Sequence, residues 1–245
     1  MSKLRVGIDI NEVLRARWLQ FDRYYAQEFG EDNLDDQPEY VYDFWKNYHW
    51  EDVTEVEKEL KEPEDMPDDI NPVHYQTDEK GEANADSFLF KKAEEIKLTA
   101  RDVYNRFMYQ DFLFEIHGSA PKIYPQVDVD LKKFLQKYEN TVDFTILSVE
   151  NKLSIPPTLF FLSKLFVGIN NYKFLDNPLD MWKHVDVLIT TDPEIIRLGS
   201  PWGKKLIKLR RPYNEELKSG KLDVLQLVDL IENQDFQKII KYKTK

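Results

Sequence analysis

Apolar residues occur at two different spacings along this chain, and the spacing predicts which segments are strands and which are helices. Residues 4–8 form a short, mainly apolar run before a polar turn, which is typical of a buried strand. Three later segments have the same character and are also predicted to be strands: residues 143–149, 185–190 and 205–209. Because helical patterns separate these later strands, the sequence predicts a parallel sheet covered by helices on both faces.

Helical spacing of apolar residues predicts the elements between the strands. These helices are expected over residues 18–29, 129–138, 157–166 and 193–198. A closing helix is predicted from Asp223 onward, because a stripe of apolar residues at helical spacing runs through the basic C-terminal segment: Leu222, Leu225, Val228, Leu230 and Ile231. Its lysines and arginines are expected on the solvated face; the alternative is a docking surface for an acidic partner.

The segment between the first strand and the later ones has a different composition. Residues 31–86 are acidic, aromatic and interspersed with prolines, and short helices are predicted over 43–50 and 54–62, followed by an exposed loop over 77–86. A long helical pattern then covers residues 87–116. We therefore interpret the chain as a three-layer α/β core of residues 1–14 and 121–245, interrupted by a mainly helical insertion over residues 15–120.

Composition and charge indicate a folded protein that is not expected to bind nucleic acid. The chain is 42% hydrophobic and 13% aromatic, as expected of a folded protein, and it carries a net charge of −11, which disfavours binding to nucleic acid. It has no cysteine, so disulfides, thiolate metal sites and a cysteine nucleophile are excluded. With no leader pattern and no apolar run near the roughly 18 residues of a membrane span, we expect a soluble, cytoplasmic protein.

The acidic part of the insertion is the candidate partner-binding segment. Residues 31–69 contain sixteen aspartates or glutamates and only three lysines. Four aromatic residues lie among these acids: Phe44, Trp45, Tyr48 and Trp50. They are interpreted either as the packing of the insertion itself or as an interface with a protein partner, since aromatic side chains are frequent interface anchors.

Polar residues at three predicted strand ends are the candidates for chemistry. Asp9 and Asn11 follow the first strand, Ser148 ends the second, and Thr190, Thr191 and Asp192 end the third. In an open parallel sheet, ligands bind beyond the carboxyl ends of the strands, so we expect these groups to meet at one edge. The four histidines are scattered without metal-ligand spacing, which argues against a zinc or di-iron site.

The order and type of these residues resemble the haloacid dehalogenase-like (HAD) superfamily of phosphohydrolases, in the 5′-nucleotidase-type branch with a helical cap after the first motif. The resemblance implies that Asp9 is the nucleophile, that position 11 holds the general acid/base, and that Ser148 binds phosphate. It implies a lysine at the phosphate, for which Lys183 is chosen over Lys173 and Lys164. It also implies a Mg²⁺ ion held by Asp9, Asn11 and Asp192.

The chemistry explains why such residues belong together. A phosphoryl group is surrounded by anionic oxygens, so a carboxylate can attack it only where a cation and hydrogen-bond donors neutralise that charge. Mg²⁺ prefers oxygen ligands, including one or two carboxylates. Asp9 and Asp192 supply carboxylates, and the backbone carbonyl of Asn11 would serve as a ligand whatever its side chain.

Two departures from the family pattern indicate a degenerate site. Asn11 cannot take or give the proton handled by the usual second aspartate, which is a loss of roughly 10²–10⁴ in rate. Thr190 and Thr191 stand where the later acids belong, and Asp192 comes one residue late. We expect an inactive or weakly active pseudoenzyme that serves as a binding, scaffold or assembly component. One form of this hypothesis is that the protein is viral and is a component of the virion. The alternative is a working Mg²⁺-dependent phosphatase or 5′-nucleotidase acting on a phosphorylated small molecule through an aspartyl-phosphate.

Purely structural interpretations compete with these assignments. Asp9 and Ser148 are also residues that satisfy backbone N–H groups in turns. Asp192 before Pro193 is a good helix N-cap, with the proline at the first helical position. No glycine-rich phosphate loop follows any predicted strand, so other nucleotide-binding folds have little support.

Overall fold

The predicted strands form one parallel sheet in the computed structural model, which describes residues 3–30, 48–56, 95–165, 168, 171–218 and 222–243. Its six strands are β1 (Leu4–Asp9), β4 (Val142–Val149), β5 (Tyr172–Leu175), β6 (Val187–Thr190), β7 (Lys205–Leu209) and β8 (Leu222–Val224). They lie in the order β5-β4-β1-β6-β7-β8, and every neighbouring pair is parallel. This confirms the predicted α/β fold.

The described residues include eight α-helices, and those from Val127 onward pack on the faces of this sheet. Their bounds are α1 (Arg17–Phe29), α2 (Ala100–Arg106), α3 (Leu113–His117), α4 (Val127–Tyr138), α5 (Ile155–Lys164), α6 (Met181–His184), α7 (Pro193–Leu198) and α8 (Gln234–Lys243). A π-helical turn, Phe107–Asp111, joins α2 to α3. Within the described part of the chain, no helix has the length and apolar character needed to cross a membrane.

Two apolar cores cover the two faces of the sheet, because successive side chains of a strand point to opposite sides. Ile146 and Ile189 belong to one core, together with Phe134 of α4, whereas the adjacent Leu147 and Leu188 belong to the other. The second core is completed by side chains from α6 and α7. Burial of both faces explains why the strands carry consecutive apolar residues, such as Val187, Leu188 and Ile189 of β6, rather than a strict alternation.

Gly7 lies at the middle of β1, where the sheet has no room for a side chain. A Cβ atom at this position would lie 2.5 Å from Leu147 Cδ1 and 2.8 Å from Val185 Cγ1. The glycine therefore lets the strand pass beneath the packed side chains of its neighbours.

The chain divides into two compact units, Met1–His49 with Tyr104–Lys245, and Trp50–Val103. In the second unit, β2 (Val53–Val56) pairs antiparallel with β3 (Glu95–Leu98). The helix predicted over residues 54–62 is therefore wrong at its start, and the helical pattern predicted from residue 87 is wrong at residues 95–98. Residues 43–47 and 57–94, which carry the other expectations for this region, lie outside the described residues. The core and insertion bounds of 1–14, 121–245 and 15–120 stay a prediction.

Helix α1 confirms the helix predicted at residues 18–29, and it packs against aromatic residues of the larger unit. The ring of Phe21 lies 4.8 Å from that of Tyr48 and 5.2 Å from that of Phe107, measured between centroids. Gly30 ends the helix in the left-handed conformation, with φ of 68°, and donates its N–H to the carbonyl of Ala26. Tyr48 thus contributes to packing, while Phe44 and Trp45 lie outside the described residues.

The C-terminal segment differs from the closing helix predicted from Asp223. Leu222–Val224 is an edge strand whose two apolar side chains are buried, and a 3₁₀ turn follows at Leu227–Leu230. The helix begins only at Gln234, where the Asn233 side chain accepts the N–H groups of Asp235 and Phe236. The apolar residues of this segment fit the spacing of a helix and also that of a strand. Residues 222–224 form a strand because they pair with β7.

Candidate functional site

Three strand ends meet at the carboxyl edge of the sheet, as the sequence predicts. β1 lies between β4 and β6, and Asp9 is in register with Leu147, next to Ser148. The Thr190 hydroxyl donates a hydrogen bond to Asp9 Oδ2 at 2.8 Å, and Asn11 Nδ2 donates to Ser148 Oγ at 3.3 Å. All four side chains are buried. The structure therefore brings Asp9, Asn11 and Ser148 together, next to the turn that follows β6.

Asp192 lies in the same turn and caps a helix. Its Oδ1 accepts the N–H of Ile195 at 2.7 Å, so it is the N-cap of α7, with Pro193 at the first helical position. Its own N–H donates to Thr190 Oγ at 3.1 Å. Burial, together with the nearby Asp9 carboxylate, raises the pKa of Asp192 to about 7. The N-cap interpretation is thus realised, and the same carboxylate also lies near Asp9.

The side chain of Asn11 is fixed on both sides. Its Oδ1 accepts hydrogen bonds from Arg15 Nε at 3.2 Å and from Arg15 Nη2 at 2.5 Å. Its Nδ2 donates to Ser148 Oγ. Because both ends of the amide are used, the side chain of Asn11 has one preferred orientation, and that orientation is set by the protein itself.

The Ser148 hydroxyl donates its proton to a buried carboxylate. Its acceptor is Glu150 Oε1, at 2.8 Å. Glu150 also accepts from Arg15 Nη2 at 2.6 Å and from the Ser154 hydroxyl at 2.6 Å, while His117 Nδ1 lies 3.3 Å from Oε2. Burial alone would raise the pKa of Glu150, but the Arg15 guanidinium, with His117, holds that pKa well below its usual range.

Arg15 is the centre of this network, and its guanidinium is fully satisfied. Besides its bonds to Asn11 and Glu150, Nη1 donates to the His117 carbonyl at 2.6 Å and to the Thr158 hydroxyl at 2.8 Å. All five N–H groups of a guanidinium thus have acceptors here. The arginine ties the end of β1 to the end of β4, to α3 and to α5. We refer to Arg15, Asn11, Ser148 and Glu150 as the Arg15 network.

Sequence reasoning missed Arg15 and Glu150. Each lies just beyond a singled-out residue, Arg15 four positions after Asn11 and Glu150 two after Ser148. The only sequence feature that pointed to them was a charged residue a few positions after each strand end. That feature does not show that Arg15 and Glu150 pair with each other across the sheet.

Glu12 holds the turn that carries Asn11. Its φ of 58° is the one positive value among the described non-glycine residues. Glu12 Oε1 accepts the N–H of Trp18 at 2.7 Å, near the start of α1, and its carbonyl accepts from Arg211 Nε at 3.0 Å. Burial raises the pKa of Glu12. These contacts fix a strained backbone conformation directly beside the candidate site.

The structure does not bring Lys183 to this cluster. Lys183 lies on α6, its side chain is 71% exposed, and its Nζ pairs with Asp180 Oδ1 at 2.7 Å. The rival Lys164 lies with its Nζ 4.8 Å from the ring centroid of Phe160 on the surface of α5, and Lys173 is an exposed residue of β5. The lysine at the phosphate therefore stays a prediction without a geometric counterpart.

Two further observations bear on what the site could hold. Among the described residues, no group of three or more histidine, aspartate or glutamate side chains is arranged to hold a metal ion. A cavity of about 740 Å³ lies at the amino ends of the strands, with Arg5, Asn171 and His184 in its lining. It is thus at the opposite edge of the sheet from the Arg15 network.

Comparisons with known proteins support the fold. No known protein-family model matches the chain, and no curated protein sequence matches it. Among solved structures, a protein of Burkholderia xenovorans LB400, provisionally assigned as a haloacid dehalogenase-like hydrolase, is similar with a TM-score of 0.51 and 11% sequence identity. The match covers 96% of this chain and 98% of that one. At this identity the likeness establishes the fold alone, which is the HAD-like, Rossmann-type arrangement.

Proposed function

We propose that this chain is a HAD-like protein with a degenerate phosphohydrolase site, and that it acts as a binding, scaffold or assembly component rather than as an efficient enzyme. The observation that carries the proposal is the Arg15 network, which uses the side chains of Asn11 and Ser148 for internal hydrogen bonds. The 5′-nucleotidase-type layout and the cap after the first motif are part of the same proposal.

Two steps of phosphoryl transfer would be impaired in such a site. Asn11 has no proton to exchange with a leaving group, and general acid/base help is worth roughly 10²–10⁴ in rate. Ser148 would have to turn its hydroxyl proton away from the buried Glu150 carboxylate before it could donate to a phosphate oxygen. Losing this one hydrogen bond to a charged acceptor costs about 1.5–3 kcal/mol, although Arg15 and Ser154 would still donate to Glu150. Both effects oppose catalysis.

The alternative is a Mg²⁺-dependent phosphatase, and one observation favours it. Burial, together with the nearby Asp9 carboxylate, raises the pKa of Asp192 to about 7, so two buried carboxylates lie near each other here. A divalent cation would relieve this repulsion, and these carboxylates with the Asn11 carbonyl are a suitable set of hard oxygen donors. When bound, Mg²⁺ would supply neutralisation of the phosphate charge. Asp9 would then be the nucleophile, and Thr190 would orient its carboxylate.

Hydrolysis of an aryl phosphate and of nucleoside monophosphates, with and without MgCl₂, tests the proposal. We expect the turnover of the unmodified protein to equal that of Asp9→Asn. The matched control is Asp180→Asn, which removes a partly exposed carboxylate of the same unit. Magnesium-dependent turnover that Asp9→Asn abolishes and Asp180→Asn preserves would establish the phosphatase instead.

The variant Asn11→Asp measures how much of the proposed loss of phosphatase activity is caused by the missing acid at position 11. Arg15 would donate to the new carboxylate and lower its pKa, so the restored acid would be a poor proton donor. We expect a gain of less than about tenfold, below the full range of general acid catalysis. A gain of a hundredfold or more would show that the missing acid is the main defect, and would contradict the role given to the Arg15 network.

The partner expected from the sequence is a protein bound through the acidic, aromatic segment 31–69. Most of that segment lies outside the described residues, so this interface stays a prediction. A protein that remained monomeric and bound nothing would count against the binding role.

A further inference from the structure

Four large apolar side chains are exposed on α3, on α5 and in the 3₁₀ turn directly before α5, and we name this set the α5 patch: Phe114, Leu153, Leu159 and Phe160. Their exposed fractions are 47%, 56%, 42% and 45%. The rings of Phe114 and Phe160 contact each other, with 5.0 Å between their centroids, so α3 and α5 contribute to one continuous surface. Contiguous apolar patches of this kind mark interaction sites more often than isolated exposed side chains do.

Helix α5 is apolar on both of its sides, which is unusual for a helix at the surface. Phe161 and Leu162 are buried against the core, whereas Leu159 and Phe160 face outward. A helix that is hydrophobic all round is typically covered on all sides. The inner side of α5 is covered by this chain, and the outer side has the composition of a surface that a partner covers.

The charges of Lys152, in the 3₁₀ turn before α5, and of Lys164, at the end of α5, indicate the kind of partner. Between residues 152 and 164 the charged residues are Lys152 and Lys164, and both are exposed. Lys164 Nζ lies 4.8 Å from the ring centroid of Phe160, at the border of the patch. A two-fold pairing that aligned α5 side by side with α5 of a second copy would place lysine against lysine, in the parallel as in the antiparallel arrangement. Like charges opposed in this way disfavour self-association through this helix.

We propose that the α5 patch docks an amphipathic helix of another protein, whose apolar stripe is bordered by aspartate or glutamate. The ten residues of α5 span about 15 Å, which matches two to three turns of a partner helix with anchors at i, i+3 or i+4, and i+7. The Phe114–Phe160 pair is the aromatic anchor, and the two lysines select the acidic border. This inference rests on the proposed binding role and names its partner class.

The test uses two labelled amphipathic peptides with the same leucine stripe, one bordered by glutamate and one by lysine, titrated with the full chain. We expect the acidic peptide to bind about tenfold more tightly, which corresponds to about 1.4 kcal/mol and is within the range of two exposed ion pairs. Phe160→Ser should weaken binding by about tenfold or more. The double variant Lys152→Glu/Lys164→Glu should reverse the preference between the peptides.

Trp202→Ser is the matched control, because Trp202 is a fully exposed aromatic residue outside the patch. It should bind the acidic peptide as the unmodified protein does, and circular dichroism should show that all variants are folded. Equal affinity for both peptides, or no binding of either, would overturn the proposal. Self-association of the unmodified chain that Phe160→Ser abolishes would assign the patch to a second copy instead. None of these results depends on phosphatase activity, so failure here and failure of the proposed function can be distinguished.

Discussion

Replacing Arg15 by methionine is expected to destabilise the protein strongly, because it leaves Glu150 buried without its cation. Both side chains are 0% exposed, and their closest atoms are 2.6 Å apart. Removing one partner of a buried ion pair costs about 3–5 kcal/mol. For a chain of this length, that corresponds to a fall in Tm of roughly 6–20 °C. Urea unfolding followed by tryptophan fluorescence measures the free energy directly.

The cost should depend on pH, and the sign follows from the pKa of Glu150. In the unmodified protein this pKa is held below its usual value of 4.5, so the pair contributes stability above about that pH and loses it as the pH falls further. In Arg15→Met, burial would raise the pKa instead. The variant's carboxyl group would then be protonated more easily, so the cost should be largest near pH 7 and shrink as the pH falls towards 5.

Two controls distinguish this explanation from a general effect of the substitution. Arg106→Met removes an arginine paired with Asp111 at the surface, with both side chains more than 40% exposed, and should cost less than about 1 kcal/mol. Adding Glu150→Gln to Arg15→Met should recover part of the loss, because the uncompensated charge is removed. A cost below about 1 kcal/mol, a cost independent of pH, or a double variant less stable than Arg15→Met would refute the reasoning.

Two further predictions concern the sheet and the turn after β6. Gly7→Ala should cost about 1–3 kcal/mol in urea unfolding, because its Cβ would lie within 3 Å of Leu147 and Val185; an unchanged midpoint would show that the strand can shift. Asp192→Asn should flatten the dependence of stability on pH, since the pKa of Asp192 is raised from 3.8 to about 7 in the folded state. The stability contributed by its protonated form is complete below about pH 4 and is lost as the pH rises through about 7; an Asn variant that kept this decline would contradict the assignment.

Some features of the fold follow from local patterns. The buried strands were predictable because both faces of a parallel sheet are covered, which favours consecutive apolar residues such as Val187, Leu188 and Ile189. The meeting of Asp9, Ser148 and Thr190 was predictable too, because parallel strands present their carboxyl ends at one edge. β5 was missed because its side chains are only partly buried, and β8 was mistaken for helix because three residues are too few to define a period.

The sequence by itself determined the α/β class, four of the six strands and the edge at which the polar residues gather, because each depends on hydrophobic spacing within one segment. Only the tertiary structure decided what those polar residues do there. The pairing of Arg15 with Glu150 joins positions 135 residues apart, and the distance of Lys183 from the cluster depends on how α6 is placed. Such contacts are set by the register of neighbouring strands and by which helix lies above them, so no local pattern encodes them.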